Sequence, residues 1–177
     1  MTRSKSQVFT GKTTRRRLLA ATPLAVAGLV INASAQQPMA QIPSTAEDSK
    51  KTALHQEVEL KAPATRVYQI LIDSKQFTAF SGAPAEIRPE AGGTFSLFGG
   101  MIGGRNIELV PGVRIVQAWR PADWPAGLYS LVRFELKDQG PNTTLVLDHS
   151  SFPAGGFTHL SQGWREHYWG PLSKYLA

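Results

Sequence analysis

Residues 158–176 read THLSQGWREHYWGPLSKYL, and this stretch decides the fold. Trp164, Tyr168, Leu172 and Tyr175 stand at i, i+4, i+8 and i+11, a spacing that gathers large side chains on one face of an α-helix. Pro171 falls inside the pattern. It removes one i→i−4 hydrogen bond and predicts a kink. From Pro84 to His149 the period changes. Segments 85–88, 93–98, 104–109, 114–120, 129–137 and 143–149 read as strands. Between them lie Gly92-Gly93, the glycine stretch 99–104, Pro111-Gly112, the run from Pro121 to Gly127, and Gly140-Pro141-Asn142. Connections this short pair strands antiparallel, because a parallel pair needs a long crossover. Such a sheet must bury one face, and the aromatic helix is the only element long enough to cover it.

Upstream, Leu54, Gln56, Val58 and Leu60 alternate with His55, Glu57, Glu59 and Lys61, a half-buried strand. Ala62-Pro63 opens a helix on which Ala64, Val67, Tyr68 and Leu71 share a face. Asp73-Ser74 ends it, and Phe77 and Phe80 belong to a second short helix. The class is therefore α+β, a curved antiparallel sheet around a C-terminal helix, in one domain over residues 53–177. A sheet that curls more than the helix fills leaves a cavity between them.

Charge and composition narrow the function. The chain has 177 residues, a formal net charge of +6 and no cysteine. Arg3, Lys5, Lys12, Arg15, Arg16 and Arg17 lie within residues 1–35, which hold no acid; without those six cations the bases and acids are equal in number. The domain thus lacks the clustered basic footprint of a nucleic-acid binder. The missing cysteines exclude a disulfide framework, a thiolate nucleophile and Cys-ligated metal. Leu18 to Ile31 is uncharged but shorter than the roughly 20 apolar residues that span a bilayer, and Ala33-Ser34-Ala35 follows as a small-x-small cleavage site. Thr14-Arg15-Arg16-Arg17-Leu18-Leu19 fits the twin-arginine export signature. Residues 1–35 are expected to be a cleavable bacterial leader and the mature chain periplasmic or secreted. Residues 36–52, QQPMAQIPSTAEDSKKT, read as a flexible spacer.

Several local strings carry a resemblance. They are Gly92-Gly93-Thr94-Phe95-Ser96-Leu97-Phe98-Gly99-Gly100, the run from Gly103 to Pro111, Arg114-Ile115-Val116-Gln117-Ala118-Trp119-Arg120, Asp123-Trp124-Pro125, and Gly163-Trp164 through Pro171-Leu172. In their order they resemble the START-like (SRPBCC) helix-grip superfamily. Within it they resemble the family named after the activator of the ninety-kilodalton heat-shock chaperone's ATPase, over residues 54–176. The resemblance implies a helix-grip fold with an internal, mostly apolar pocket. It does not imply one activity, since members bind lipids, act as cyclases or serve as chaperone cofactors. The likeness covers the C-terminal type of domain, with no chaperone-docking domain ahead of it, and export would remove the chain from the cytosol. Both expectations point away from that chaperone as partner.

The glycines at 99–104 are followed by a strand, not by the helix of a dinucleotide fingerprint, and read as a hairpin or bulge. His159, His167 and Glu166 lack the H-E-x-x-H spacing of a zinc site, and neither metal nor cofactor is expected. Ser150 and Ser151 lack a nucleophile elbow. Glu57 and Glu59 share a solvated face, and Asp148 points away from His149 by strand alternation. Arg105, Arg120 and Arg133 serve structure or clamp an anion, with Arg120 placed to pair with Asp123. His149 alternates with Leu145 and Leu147 and so faces inward. It is either a ligand donor or base, or a core histidine satisfied by the protein. The expected pocket lining is Phe80, Phe95, Leu97, Trp119, Val132, Phe134, Leu147, His149, Trp164 and Tyr168. The expected function is binding of a small hydrophobic molecule there, oriented by His149 or Tyr168. A cyclase or hydrolase in the same cavity and a protein-binding domain are the alternatives.

Overall fold

Strand β1 (Ala53–Leu60) is preceded by one helical turn, α1 (Thr45–Asp48), so part of the segment read as spacer is ordered. The computed structural model describes residues 45–177; the leader at 1–35 and spacer residues 36–44 lie outside the described residues. Lys51 closes the turn by its ion pair to Asp48 (2.8 Å) and lies over the Phe157 ring.

Helices α2 (Ala64–Ile72) and α3 (Ser74–Ser81) follow. Asp73 separates them: it ends α2, and its carboxylate accepts from Gln76 N–H as the N-cap of α3. Gly82, at φ 71°, closes α3 in the left-handed conformation. Then come β2 (Glu86–Ile87), β3 (Thr94–Leu97), β4 (Ile102–Val110), β5 (Arg114–Pro121), β6 (Ser130–Gln139) and β7 (Asn142–Ser150). They form one antiparallel sheet in the order β1-β7-β6-β5-β4-β3-β2. Strand β2 is shorter than the expected 85–88 because a side chain satisfies it. The Ser74 hydroxyl accepts from Ile87 N–H (2.8 Å) and donates to Ile87 C=O (3.3 Å), doing a strand's work at that edge.

Strand β4 starts at Ile102, two residues ahead of the expected 104–109, so Gly103 joins Gly104 inside it. The turn is the 3₁₀ segment Phe98–Gly100. Gly104 belongs in the strand because the Phe95 ring crosses it: a Cβ there would sit 2.2 Å from Phe95 Cζ and 2.2 Å from the Ala118 carbonyl. A bulge between Asn106 and Glu108 then resets the register of β4 against β5.

The C-terminal helix takes the expected span, and its regular hydrogen bonding changes just ahead of Pro171. It runs as α4 (Phe157–Gly163), a π-helical turn (Trp164–Trp169) and α5 (Gly170–Tyr175). Pro171 has no N–H, and its ring crowds the carbonyl four residues back. The turn ahead of it widens instead, with Gly170 N–H reaching Arg165 C=O. The helix covers the sheet face formed by the inward residues of β1, β7, β6 and β5, among them Leu54, Leu147, Phe134 and Trp119, all buried.

Candidate functional site: the interior of the grip

All ten residues expected to line a pocket are buried; nine belong to one apolar cluster, Phe80 on α3, Phe95 and Leu97 on β3, Trp119 on β5, Val132 and Phe134 on β6, Leu147 on β7, Trp164 and Tyr168 on the π-helical turn, and His149 on β7 meets it edge-on at Trp164. They touch one another. Ring centroids are 4.7 Å apart for Trp119–Trp164, 4.6 Å for Trp164–Tyr168, 5.6 Å for Phe134–Trp164 and 5.9 Å for Phe80–Tyr168. These are the separations of packed aromatic pairs. The rings that the sequence reading places around a cavity pack against one another in pairs.

His149 is 1% exposed and engaged at both nitrogens. Trp164 Nε1–H donates to Nδ1 (3.0 Å). An indole N–H only donates, so Nδ1 is unprotonated and the proton sits on Nε2. Nε2–H donates to Ser130 Oγ (2.8 Å), whose hydroxyl donates to the Trp119 carbonyl (3.3 Å). Burial pushes the imidazole pKa down to about 4. His149 is therefore a neutral core histidine that ties the C-terminal helix to β6 and β7, the second of its two sequence readings. Burial likewise drives the Tyr168 phenol well above its ordinary value.

Two further polar devices hold the grip, and the sequence reading assigned them no role. Gln56 on β1 donates to the Ser161 carbonyl and hydroxyl (3.0 Å each) and accepts from Trp169 Nε1–H (2.6 Å). On the inner face of β4 and β5, Trp119 Nε1–H donates to Gln117, Gln117 donates to Asn106, and Asn106 donates to the Arg88 carbonyl, each at 2.8 Å. The available signal was alternation: Gln56 and Gln117 hold inward positions where an apolar residue is the rule, and a buried amide needs partners.

Other candidates disperse. Arg120 donates to the Trp124 and Pro125 carbonyls (3.2 and 3.3 Å) rather than to Asp123, so it braces that turn through backbone. Arg133 pairs with Glu135, and Arg105 donates to the Gly92 carbonyl. Asp148 turns away from His149 and pairs across strands with His55 (2.7 Å) on the outer face. Glu57, Glu59, His159, Glu166 and His167 are exposed. Among the described residues two grooves open. One, of about 310 Å³, lies beside Ser74, Ile87 and Phe95; the other, of about 360 Å³, lies at Ala53–His55 and Asp148–Ser150. Each is at a sheet margin, and the second reaches His149, the partner of Trp164.

With fold and site described, comparison with known proteins is decisive at one level. The family model for "Activator of Hsp90 ATPase homolog 1-like protein" matches residues 61–177. The chain belongs to this family. Through it, the chain is a START-like helix-grip domain. This family member is 29% identical over 102 residues to the human activator of 90 kDa heat shock protein ATPase homolog 1, a match covering 58% of this chain and 30% of the human protein. It therefore spans about a third of that relative's length. Among solved structures it is similar to an HSP90 activator from Plasmodium falciparum, with a TM-score of 0.62 and 28% identity over 67% of this chain and 91% of that one. CalU16 from Micromonospora echinospora shares the fold, with a TM-score of 0.61 and 19% identity over 71% of this chain and 76% of that one.

Proposed function

We propose that this family member is an exported, protein-binding helix-grip domain that acts through its surface. The interdigitated rings carry this reading. With Trp119, Phe134 and Tyr168 each packed against Trp164, and both nitrogens of His149 engaged by Ser130 and Trp164, the inner faces of sheet and helix already hold one another. The relatives add support, since the human and Plasmodium proteins are named for what they do to another protein. Residues 1–35 would carry the chain through the twin-arginine route, and residues 36–52 would tether the domain. The partner would then be met outside the cytoplasm.

A second reading, binding of a small hydrophobic molecule in the grip, draws on one observation. Trp164 and Tyr168 sit on a π-helical turn, and such turns recur at functional sites. A guest would have to part the rings there. Hiding on the order of 200 Å² of apolar ligand surface is worth about 5 kcal/mol before association costs, and that gain must exceed the loss of the ring contacts.

Native mass spectrometry of protein taken from its own periplasm separates the two. The first reading expects the mature chain, starting near Gln36, free of adducts and in saturable complex with a protein. A retained apolar adduct that is absent from a folded Phe134→Asp variant would overturn it in favour of the second.

A further inference from the structure

The outer face of the sheet carries its charges in two different ways. In its lower rows every cation has a carboxylate: Arg114 pairs with Glu108 (2.8 Å), Arg133 with Glu135, and Lys137 with Glu57 (3.1 Å). One row higher, Arg105 of β4 stands opposite Ala118 of β5, Ala118 opposite Leu131 of β6, Leu131 opposite Ser150 of β7, and Ser150 opposite Ala53 of β1. Arg120 lies two residues along β5 from Ala118. Among the described residues, the guanidinium groups of Arg105 and Arg120 bond only to backbone carbonyls, of Gly92 and of Trp124 and Pro125. Each keeps spare donors and an unneutralised charge.

Between and beside these arginines the surface is apolar. Leu131 is 42% exposed in mid-sheet, and Tyr129, two residues before it, is 49% exposed. Along the same row, beyond Ser150, the groove of about 360 Å³ opens at Ala53 and His55. An apolar strip with two cations gathered at its β4–β5 end is what a docking surface for a segment carrying both acidic and apolar side chains requires. The chain cannot supply that segment: residues 1–44, which lie outside the described residues, contain no Asp or Glu and bring six cations. A polyphosphate fits worse, because Glu108, Glu135 and Asp148 line the adjoining rows and would repel an extended anionic track.

We propose that this row of the outer sheet face, from Arg105 and Arg120 across Leu131 to Ala53, binds a segment of a partner protein in which carboxylates adjoin apolar side chains. The proposal rests on the protein-binding reading above and names the chemistry of its partner.

The test uses the mature chain and a fluorescent ten-residue peptide of alternating Asp and Phe, with an alternating Asn and Phe peptide, phosphatidylglycerol vesicles and a single-stranded oligonucleotide alongside. Fluorescence anisotropy should show the Asp-Phe peptide binding at least tenfold more tightly than the Asn-Phe peptide. Arg105→Gln/Arg120→Gln should weaken it at least tenfold, Arg105→Lys/Arg120→Lys should retain most of the affinity, and Lys137→Gln should leave it unchanged. Equal affinity of wild type and the Gln double variant, or stronger binding to vesicles or oligonucleotide, would overturn the proposal. The two readings fail separately. If the complex isolated from the periplasm survives in the Gln double variant, this face is wrong and protein binding stands; if wild type forms no complex, protein binding itself falls.

Discussion

Acid should weaken this protein through one histidine. The folded His149 imidazole stays neutral down to about pH 4, against an ordinary value of 6.5 in the unfolded chain. Between those values the unfolded state binds a proton that the folded state refuses, so stability rises with pH across the window. The contribution is fully present above pH 6.5, is lost progressively as pH falls to about 4, and is absent below. The gap corresponds to roughly 3 kcal/mol. Geometry supplies the cause: protonating Nδ1 would set one donor against another, the Trp164 Nε1–H at 3.0 Å, inside a region 1% exposed. His149→Gln is the comparison, because its amide can accept from Trp164 and donate to Ser130 without titrating. Urea unfolding followed by tryptophan fluorescence at pH 7.5, 5.5 and 4 should show wild type losing roughly 3 kcal/mol more than the variant, the carboxylate contributions cancelling between them. Parallel stability profiles for the two proteins would refute the reasoning.

Three further outcomes follow from the geometry. Gly104→Ala drives a methyl group into the Phe95 ring and the Ala118 carbonyl; thermal unfolding should show a loss of about 1–3 kcal/mol, with Gly103→Ala, which meets nothing within 4 Å, much milder. Gln56→Ala leaves the Trp169 indole N–H and the Ser161 hydroxyl short of a partner; a loss of about 1–3 kcal/mol is expected, with hydrogen exchange rising first in Phe157–Gly163. Arg15→Lys/Arg16→Lys should strand the uncleaved precursor in the cytoplasm, read as a band that keeps residues 1–35 on fractionation; normal export of that variant would remove the twin-arginine assignment.

Much of the architecture was written in local patterns. Period two from Pro84 to His149 announced the strands, short glycine and proline connections made them antiparallel, and the Trp164–Tyr168–Leu172–Tyr175 spacing supplied the covering helix. Side-chain direction in a strand follows from parity alone, so the inward placement of Trp119, Phe134, Leu147 and His149 was legible too. Parity and period say which residues meet; they do not say how closely. Whether the aromatic face of the helix stands off from the sheet or sinks into it depends on sheet curvature, on the Asn106/Glu108 bulge and on the π-helical turn ahead of Pro171. Each of these is set by contacts between segments distant in sequence. The same holds for His149, whose two partners, Ser130 and Trp164, come from different elements, and for Arg105 and Arg120, whose lack of a carboxylate emerges only once the strands are in register. Sequence alone determined the elements, their order and the face each buries, because those are properties of neighbours along the chain. Tertiary structure alone decided how the aromatic rings meet and, among the described residues, which cations have a carboxylate, because packing and charge balance are properties of neighbours in space.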